Sequence, residues 1–245
     1  MTAPTPGRLY GVGLGPGDPE LLTVKAVRLI QAAPVVAFFA KAGRRGNARA
    51  IVDRWLTATC EELPLHYPVT TEIAFDDPLY VAQLAAFYES SAETIACHLA
   101  AGRDVALLSE GDPLFYGSFM HLFVRLKDRF AVTVVPGVTA MSGCLAAALT
   151  PGAWGDDVLT FLPGTLPLGA LVERLGHCNA AAIMKIGRNL AKVRAALTRA
   201  GLIERAIYVE RATMANEVIV PLAQKPDDEA PYFAMVIVPG AGRRP

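Results

Sequence analysis

The sequence has no surplus of charge of either sign. Its 23 basic residues are matched by 23 acidic ones, a formal net charge of zero over 245 residues. A chain whose main partner is nucleic acid or an anionic membrane needs a positive field, so neither is expected as a principal partner. Long hydrophobic runs are missing too. The longest, residues 32–40, has nine residues, against the ~20 that cross a bilayer. The four cysteines (Cys60, Cys97, Cys144, Cys178) lie 34 to 47 residues apart, and the four histidines are equally scattered. Zinc-ribbon and thioredoxin spacings are therefore absent, the thiols read as reduced, and no metal site is expected. Residues 1–8 carry no apolar signal-peptide core and read as a loose tail. These absences describe a soluble, cytoplasmic protein. Charged residues are only 19% of the chain, below the usual ~25%, which excludes disorder. The apolar surplus must fill a generous core, a subunit interface or an apolar cleft.

What is present is an alternation of strand and helix signals. Leu9 to Leu14 reads as a buried strand, and Asp18-Pro19-Glu20 as the start of a helix carrying Leu21, Val24, Val27 and Ile30. Further strands are expected at 34–39, 62–66, 104–108 and 131–135. Helices are expected at 48–56, 119–126 and over a long stretch opened by Asp77-Pro78 and closed by Gly102. This βαβ rhythm predicts a largely parallel sheet with flanking helices. After Pro136-Gly137 the texture changes. A helix of small residues at 140–149 is followed by strands near 158–162, 181–186, 206–210, 217–220 and 233–238, with helices at 168–175 and 190–200. No helix separates the last three strands, so this half should hold a mixed sheet. The expected organisation is an N-terminal α/β domain over 1–137 and a C-terminal α/β domain over 138–245.

Three glycine-rich loops fall at the carboxyl ends of the expected parallel strands, where ligands bind in open α/β sheets. The first, Gly11-Val-Gly-Leu-Gly-Pro-Gly-Asp-Pro19, does not fit G-x-G-x-x-G, because the third position falls on Pro16 or Asp18. The second strand also lacks the ribose-binding acid, and no Gly-Lys-Ser/Thr is present, so Rossmann and P-loop chemistry are set aside. The second loop is Ser109-Glu-Gly-Asp-Pro-Leu-Phe-Tyr-Gly117. The third is Val135-Pro-Gly-Val-Thr-Ala-Met-Ser142. Each alone could be ordinary punctuation; three together point to a ligand.

The set GVGLGPGDPELLTVKA, SEGDPLFYG and VVPGVTAMSG resembles the tetrapyrrole methylase family, the class III S-adenosylmethionine methyltransferases, over nearly the whole chain. The resemblance implies two α/β domains with an active cleft between them, S-adenosylmethionine as methyl donor, no metal, a tetrapyrrole acceptor and a homodimer. It places donor contacts at Pro16, Glu110, Gly111, Asp112, Phe115, Thr139, Ala140, Met184, Ala212 and Ala234, several through backbone groups. Many members have glycine at the position of Glu110 and near Ala212. Within the family, SEGDPLFYGSF and MKIGRNL at 184–190 most resemble the branch that methylates carbon 20 of precorrin-2. Other acceptors in the family, such as uroporphyrinogen III, the cobalt-containing ring or a protein histidine, stay open at this point. A non-catalytic α/β binding module is a different class, which would fail to bind S-adenosylhomocysteine.

Taken alone, Met184 reads as a strand core residue and Asp112 as a turn residue. Glu110 is more telling, because a carboxylate at the end of an apolar strand needs a partner. It is expected to meet the donor's polar end or a substrate nitrogen. Glu110 and Tyr116 are the protein's candidates for accepting the proton that leaves the methylated carbon. An apolar disc rimmed by carboxylates calls for cations at its edge. The candidates are Lys41, Arg44, Arg45 and Arg49 after the second strand, and Lys185 and Arg188 beside Met184.

Overall fold

The apolar runs VVAFFA and VALLS form the middle of a five-stranded sheet in the computed structural model, which describes residues 5–69 and 77–242. The strands are β1 (Leu9–Gly13), β2 (Val35–Lys41), β3 (Glu61–Tyr67), β4 (Val105–Ser109) and β5 (Val132–Val135). They lie in the order β3-β2-β4-β1-β5, and every pairing is parallel. A strand buried on both faces reads as a continuous apolar run, and every residue of β4 is buried. At the edge, β3 (EELPLHY) is largely exposed and carries Pro64, which an edge strand tolerates.

Helices α1 (Val24–Ala32), α2 (Asn47–Ile51), α3 (Pro78–Ala100) and α4 (Phe119–Leu126) cover this sheet. One face packs Leu9, Val35, Val105 and Leu107 against Ile95 and Leu99 of α3 and Phe119 and Leu122 of α4. The other packs Val12, Val36, Ala106 and Leu108 against Ala26 and Ile30 of α1 and Ile51 of α2. Asp77 caps α3 by accepting from the Leu79 amide at 2.8 Å, and Gly102, at φ +78°, ends it.

Two local expectations are corrected. Asp18-Pro19 opens only a single 3-10 turn, Pro19–Leu21, because Leu22 is extended and Thr23 starts α1 afresh by accepting from Ala26 N at 3.0 Å. Val24 is consequently 87% exposed and lies off the buried stripe. The tail is not loose up to Leu9 either: Gly7 N donates to Leu99 O at 2.8 Å and Arg8 N to Asp104 Oδ1 at 2.7 Å. Residues 1–4 of that stretch lie outside the described residues.

The chain divides into two units, Met1–Thr139 and Ala140–Pro245, where the sequence expectation placed the division after residue 137. The second unit holds a mixed sheet, β6 (Leu159–Pro163), β7 (Ala180–Met184), β10 (Ala234–Val238), β8 (Ile207–Glu210) and β9 (Val218–Pro221), in that order. Only β6 and β7 run parallel. Helices α6 (Leu168–Leu175) and α7 (Leu190–Arg199) bury Leu171, Leu175, Val193 and Leu197 against one face. On the other face, α5 (Ala140–Ala147) brings Cys144 onto Ala182, Val209 and Met235. The small residues of α5 and of β7 (Ala180-Ala-Ala) permit that close packing.

Gly11 and Phe119 are a matched pair. A β-carbon on Gly11 would enter the Phe119 ring, which is fully buried. Gly11→Ala is expected to lower stability by about 1–3 kcal/mol through overpacking. Adding Phe119→Leu to it should cost less than the two separate losses summed. Urea midpoints of the two single variants and the double variant measure the coupling, and strict additivity would refute it.

Candidate functional site

β4, β1 and β5 are neighbours, so their three glycine loops leave the sheet side by side. The loops are joined through their backbones. Leu14 N donates to Ser109 O at 3.0 Å, Gly111 N to Gly15 O at 2.8 Å and Gly15 N to Gly111 O at 3.3 Å. A β-carbon on Gly13 would stand 2.5 Å from Gly137 N and 2.9 Å from Gly111 O, and one on Gly137 would overlap Gly111 O. Three glycines thus pack backbone against backbone, which no side chain permits. Gly15 and Gly111 also take left-handed φ values of +77° and +64°.

Asp112 does more than shape its own turn. Its Oδ1 accepts from Leu114 N at 2.9 Å, while Oδ2 accepts from Gly137 N at 3.1 Å and so ties the second loop to the third. Beyond it, Leu114, Phe115 and Tyr116 present an exposed apolar ledge, with the Phe115 and Tyr116 rings edge to face at 5.2 Å. Tyr116 has φ +58°, a costly conformation for a residue with a side chain and one that clusters at functional sites. Ser118 holds the far end of this loop: Tyr67 shares a hydrogen bond with its Oγ at 2.5 Å, and Tyr88 donates to it at 3.3 Å. Sequence reasoning missed these three hydroxyls, because only the sheet register brings β3 and α3 to the start of α4. The hydroxyl of Ser109, at the head of the loop, is buried and has no hydrogen-bond partner among the described residues. Pro16 is buried within the first loop, and Thr139 and Ala140 lie in the third, where α5 begins.

Glu110 has a protein partner. Its Oε1 accepts from the Ala48 amide in α2 at 3.1 Å. Burial pushes its carboxyl pKa up, and the hydrogen bonds from its own amide and from Ala48 only partly offset that.

The basic residues separate into two kinds. Arg49 is buried, pairing with Glu62 at 2.5 Å and with Asp53 at 2.9 Å. Those bonds hold its pKa above the ordinary guanidinium value and give it a structural post, which corrects its reading as a candidate for an external carboxylate. Arg45 also pairs with Asp53 but remains exposed. Lys41 and Arg44 are exposed at the end of β2, and the Arg44 guanidinium has no side-chain partner among the described residues.

In the second unit, the carboxyl ends of β7 and β8 lie at the same edge as the start of β10. Met184 ends β7, half-buried, with its carbonyl accepting from Gly164 N at 2.7 Å. Ala212 is buried between Arg211 (φ +49°) and Thr213 (φ +69°). Ala234 opens β10 opposite Glu210. Lys185, at φ +55°, and Arg188 are exposed just after Met184. Three left-handed residues with side chains therefore gather at this edge. Among the described residues, no group of three or more His, Cys, Asp or Glu is placed to hold a metal, and all four cysteines are free. No helix among them is long and apolar enough to cross a membrane.

The profile of the tetrapyrrole (corrin/porphyrin) methylases matches residues 8–225. A precorrin-2 C(20)-methyltransferase from Sinorhizobium sp is 60% identical, over 98% of this chain and 98% of that protein. A cobalt-precorrin-2 C(20)-methyltransferase from Salmonella typhimurium is 27% identical, over 95% of this chain and 96% of that protein. Among solved structures, uroporphyrin-III C-methyl transferase from Thermus thermophilus complexed with S-adenyl homocysteine is similar with a TM-score of 0.65. It is 27% identical and covers 94% of this chain and 96% of that one.

The half-buried Glu110 carboxyl gives stability a pH dependence of definite sign. A carboxyl whose pKa is raised on folding binds its proton more tightly in the folded state. Its contribution is full below the ordinary glutamate pKa of about 4.3 and is lost as pH rises through the raised value. Glu110→Gln cannot ionise and should lose less stability than the parent between pH 4 and pH 8. Urea unfolding across that range measures it, and parallel profiles for the two proteins would count against it.

Proposed function

This chain belongs to the tetrapyrrole (corrin/porphyrin) methylase family, and on that premise we propose that it transfers the methyl group of S-adenosylmethionine to carbon 20 of precorrin-2, giving precorrin-3A in corrin-ring (vitamin B12) biosynthesis. The observation that carries this reading is the 60% identity to a precorrin-2 C(20)-methyltransferase over 98% of both chains. Identity falls to 27% against the relative named for the cobalt-containing ring, which favours the metal-free acceptor. Cytoplasmic location and a homodimer belong to the same reading and rest on the family resemblance.

The residues present fit the donor. The Gly13–Gly111–Gly137 contact leaves strand-end backbone unobstructed by side chains, as close approach to a ligand requires. Phe115 supplies an exposed apolar ring beside it. We assign donor binding to Pro16, Gly111, Asp112, Phe115, Thr139 and Ala140 of the first unit, with Glu110 contributing its main-chain groups, and to Met184, Ala212 and Ala234 of the second. When bound, S-adenosylmethionine supplies a methyl group activated by its sulfonium, which carbon 20 takes as the C–S bond breaks, leaving S-adenosylhomocysteine and a proton. The protein's part is orientation and exclusion of water, with reacting atoms held at ~3–3.5 Å. Asp112 contributes by fixing two of the loops with one carboxylate. Glu110, Tyr116 on the exposed ledge, and solvent are the acceptors open to that proton. The acceptor's carboxylates are assigned to Lys41, Arg44 and Arg45, with Lys185 and Arg188 as the second unit's cations.

Purified protein incubated with methyl-labelled S-adenosylmethionine and precorrin-2 should give one added methyl at carbon 20, read by mass spectrometry and carbon NMR. Turnover of only the cobalt-containing ring, or of uroporphyrinogen III, would replace this reading with another member of the family. Replacing Arg44 and Arg45 by alanine should raise the KM for precorrin-2 about tenfold, as expected for lost uniform binding. The affinity for S-adenosylhomocysteine should stay at the parent value. Loss of both affinities together would point to misfolding.

A further inference from the structure

α2 begins without a cap of its own. The residue at its N-cap is Gly46, at φ +78°, with no side-chain hydrogen bond to the first turn. A β-carbon there would stand 2.8 Å from Phe39 O and 3.2 Å from the Ala40 β-carbon, so the usual Ser, Thr, Asp or Asn does not fit. The missing acceptor comes from 62 residues further along the chain, where Glu110 Oε1 takes the Ala48 amide hydrogen. Glu110 directly follows β4, and its neighbour Gly111 is bonded in both directions to Gly15. One carboxyl therefore links the glycine contact to the turn that leaves β2. The same stretch is fastened a second time, by Arg45 and Arg49 to Asp53 and by Arg49 to Glu62 on β3. Arg44, exposed, directly precedes these fastened residues.

We propose that Glu110 is a positioning residue for the acceptor: by capping α2 from the neighbouring loop, it holds the 41–46 turn so that Arg44 faces the tetrapyrrole's carboxylates. This rests on the assignment of that turn to the substrate rim, and it gives the side chain a role distinct from contact with the donor. What matters is an oxygen that accepts the Ala48 hydrogen, so the charge on Glu110 is dispensable and its length is not.

The test uses the whole protein and three variants. Glu110→Ala removes the acceptor, Glu110→Gln keeps one, and Ala48→Pro removes the donor at a first-turn position where proline is tolerated. Without ligand, tryptic cleavage after Lys41, Arg44 or Arg45 should speed up about tenfold in the alanine and proline variants and stay within about twofold of the parent in the glutamine variant, as for loss of a buried hydrogen bond. The same two variants should raise the KM for precorrin-2 about tenfold and leave the calorimetric Kd for S-adenosylhomocysteine within about twofold. Unchanged proteolysis in both would overturn the proposal, and so would equal damage from glutamine, which would make charge the essential property. Weakened S-adenosylhomocysteine binding in Glu110→Ala, with Ala48→Pro unaffected, would make Glu110 a donor ligand. If Arg44→Ala alone leaves KM unchanged, the substrate-rim assignment fails and this proposal with it. If Arg44→Ala raises KM while Glu110→Ala and Ala48→Pro do not, the rim stands and positioning by Glu110 is refuted.

Discussion

The closeness of three backbones at Gly13, Gly111 and Gly137 is the constraint on which the strand-end architecture of the first unit depends. Carbonyl and amide groups from three loops meet where a β-carbon on Gly13 or Gly137 would overlap another loop. Because β4, β1 and β5 are adjacent and parallel, their carboxyl ends deliver these loops to one place, and glycine lets them touch. The Gly15–Gly111 pairing and the Asp112–Gly137 bond then lock what the close approach allows. The outcome is a rigid patch rich in main-chain donors and acceptors, with side chains displaced to Phe115 and Tyr116 at its edge. Such a surface suits a ligand recognised by backbone groups, as the family resemblance implies for the methyl donor.

The zero net charge of the chain acquires meaning only when divided among sites. Arg45 and Arg49 neutralise Asp53 and Glu62 beside β3, and Arg125 on α4 and Arg129 just beyond it answer Glu89 and Glu93 on α3. Pairs of this kind consume much of the positive charge. Arg44, exposed after β2, is what such pairing leaves for a ligand. A total near zero therefore argues against a broad anionic partner such as nucleic acid, and it is compatible with a few cations placed at the edge of one cleft. Arg45 is intermediate: it anchors to Asp53 and still faces solvent.

Much of the fold was legible because its signals are local. The strands and helices follow apolar runs, helix-start residues and glycine stops, and α4 and α6 match their expected ranges, 119–126 and 168–175. The three loops announced themselves for the same reason, since glycine and proline mark special backbone wherever they stand. Local signals also mislead. Asp18-Pro19-Glu20 has a helix start's chemistry, yet Thr23 offers a competing cap and the chain takes both, breaking the helix at Leu22. The roles that escaped the sequence depend on partners far along the chain. Arg49 looks like a surface cation until Glu62 is brought beside it by the pairing of β2 with β3. Tyr67, Tyr88 and Ser118 meet only because α3 and α4 pack on one face of the sheet.

Glu110 shows how a local rule and a long-range one combine. Taken by itself, a carboxylate after an apolar strand is a liability, and burial does raise its pKa. The sequence argument therefore required a partner for it and looked for one in a ligand. The structure supplies that partner from within the protein, at a helix start whose glycine has no side chain to offer. The two irregularities, an uncapped helix and a half-buried acid, satisfy each other. The glutamate is thus best understood as a property of the basic turn as much as of the loop that carries it. A residue that joins the two can tune acceptor recognition without altering the backbone contacts at Gly13, Gly111 and Gly137.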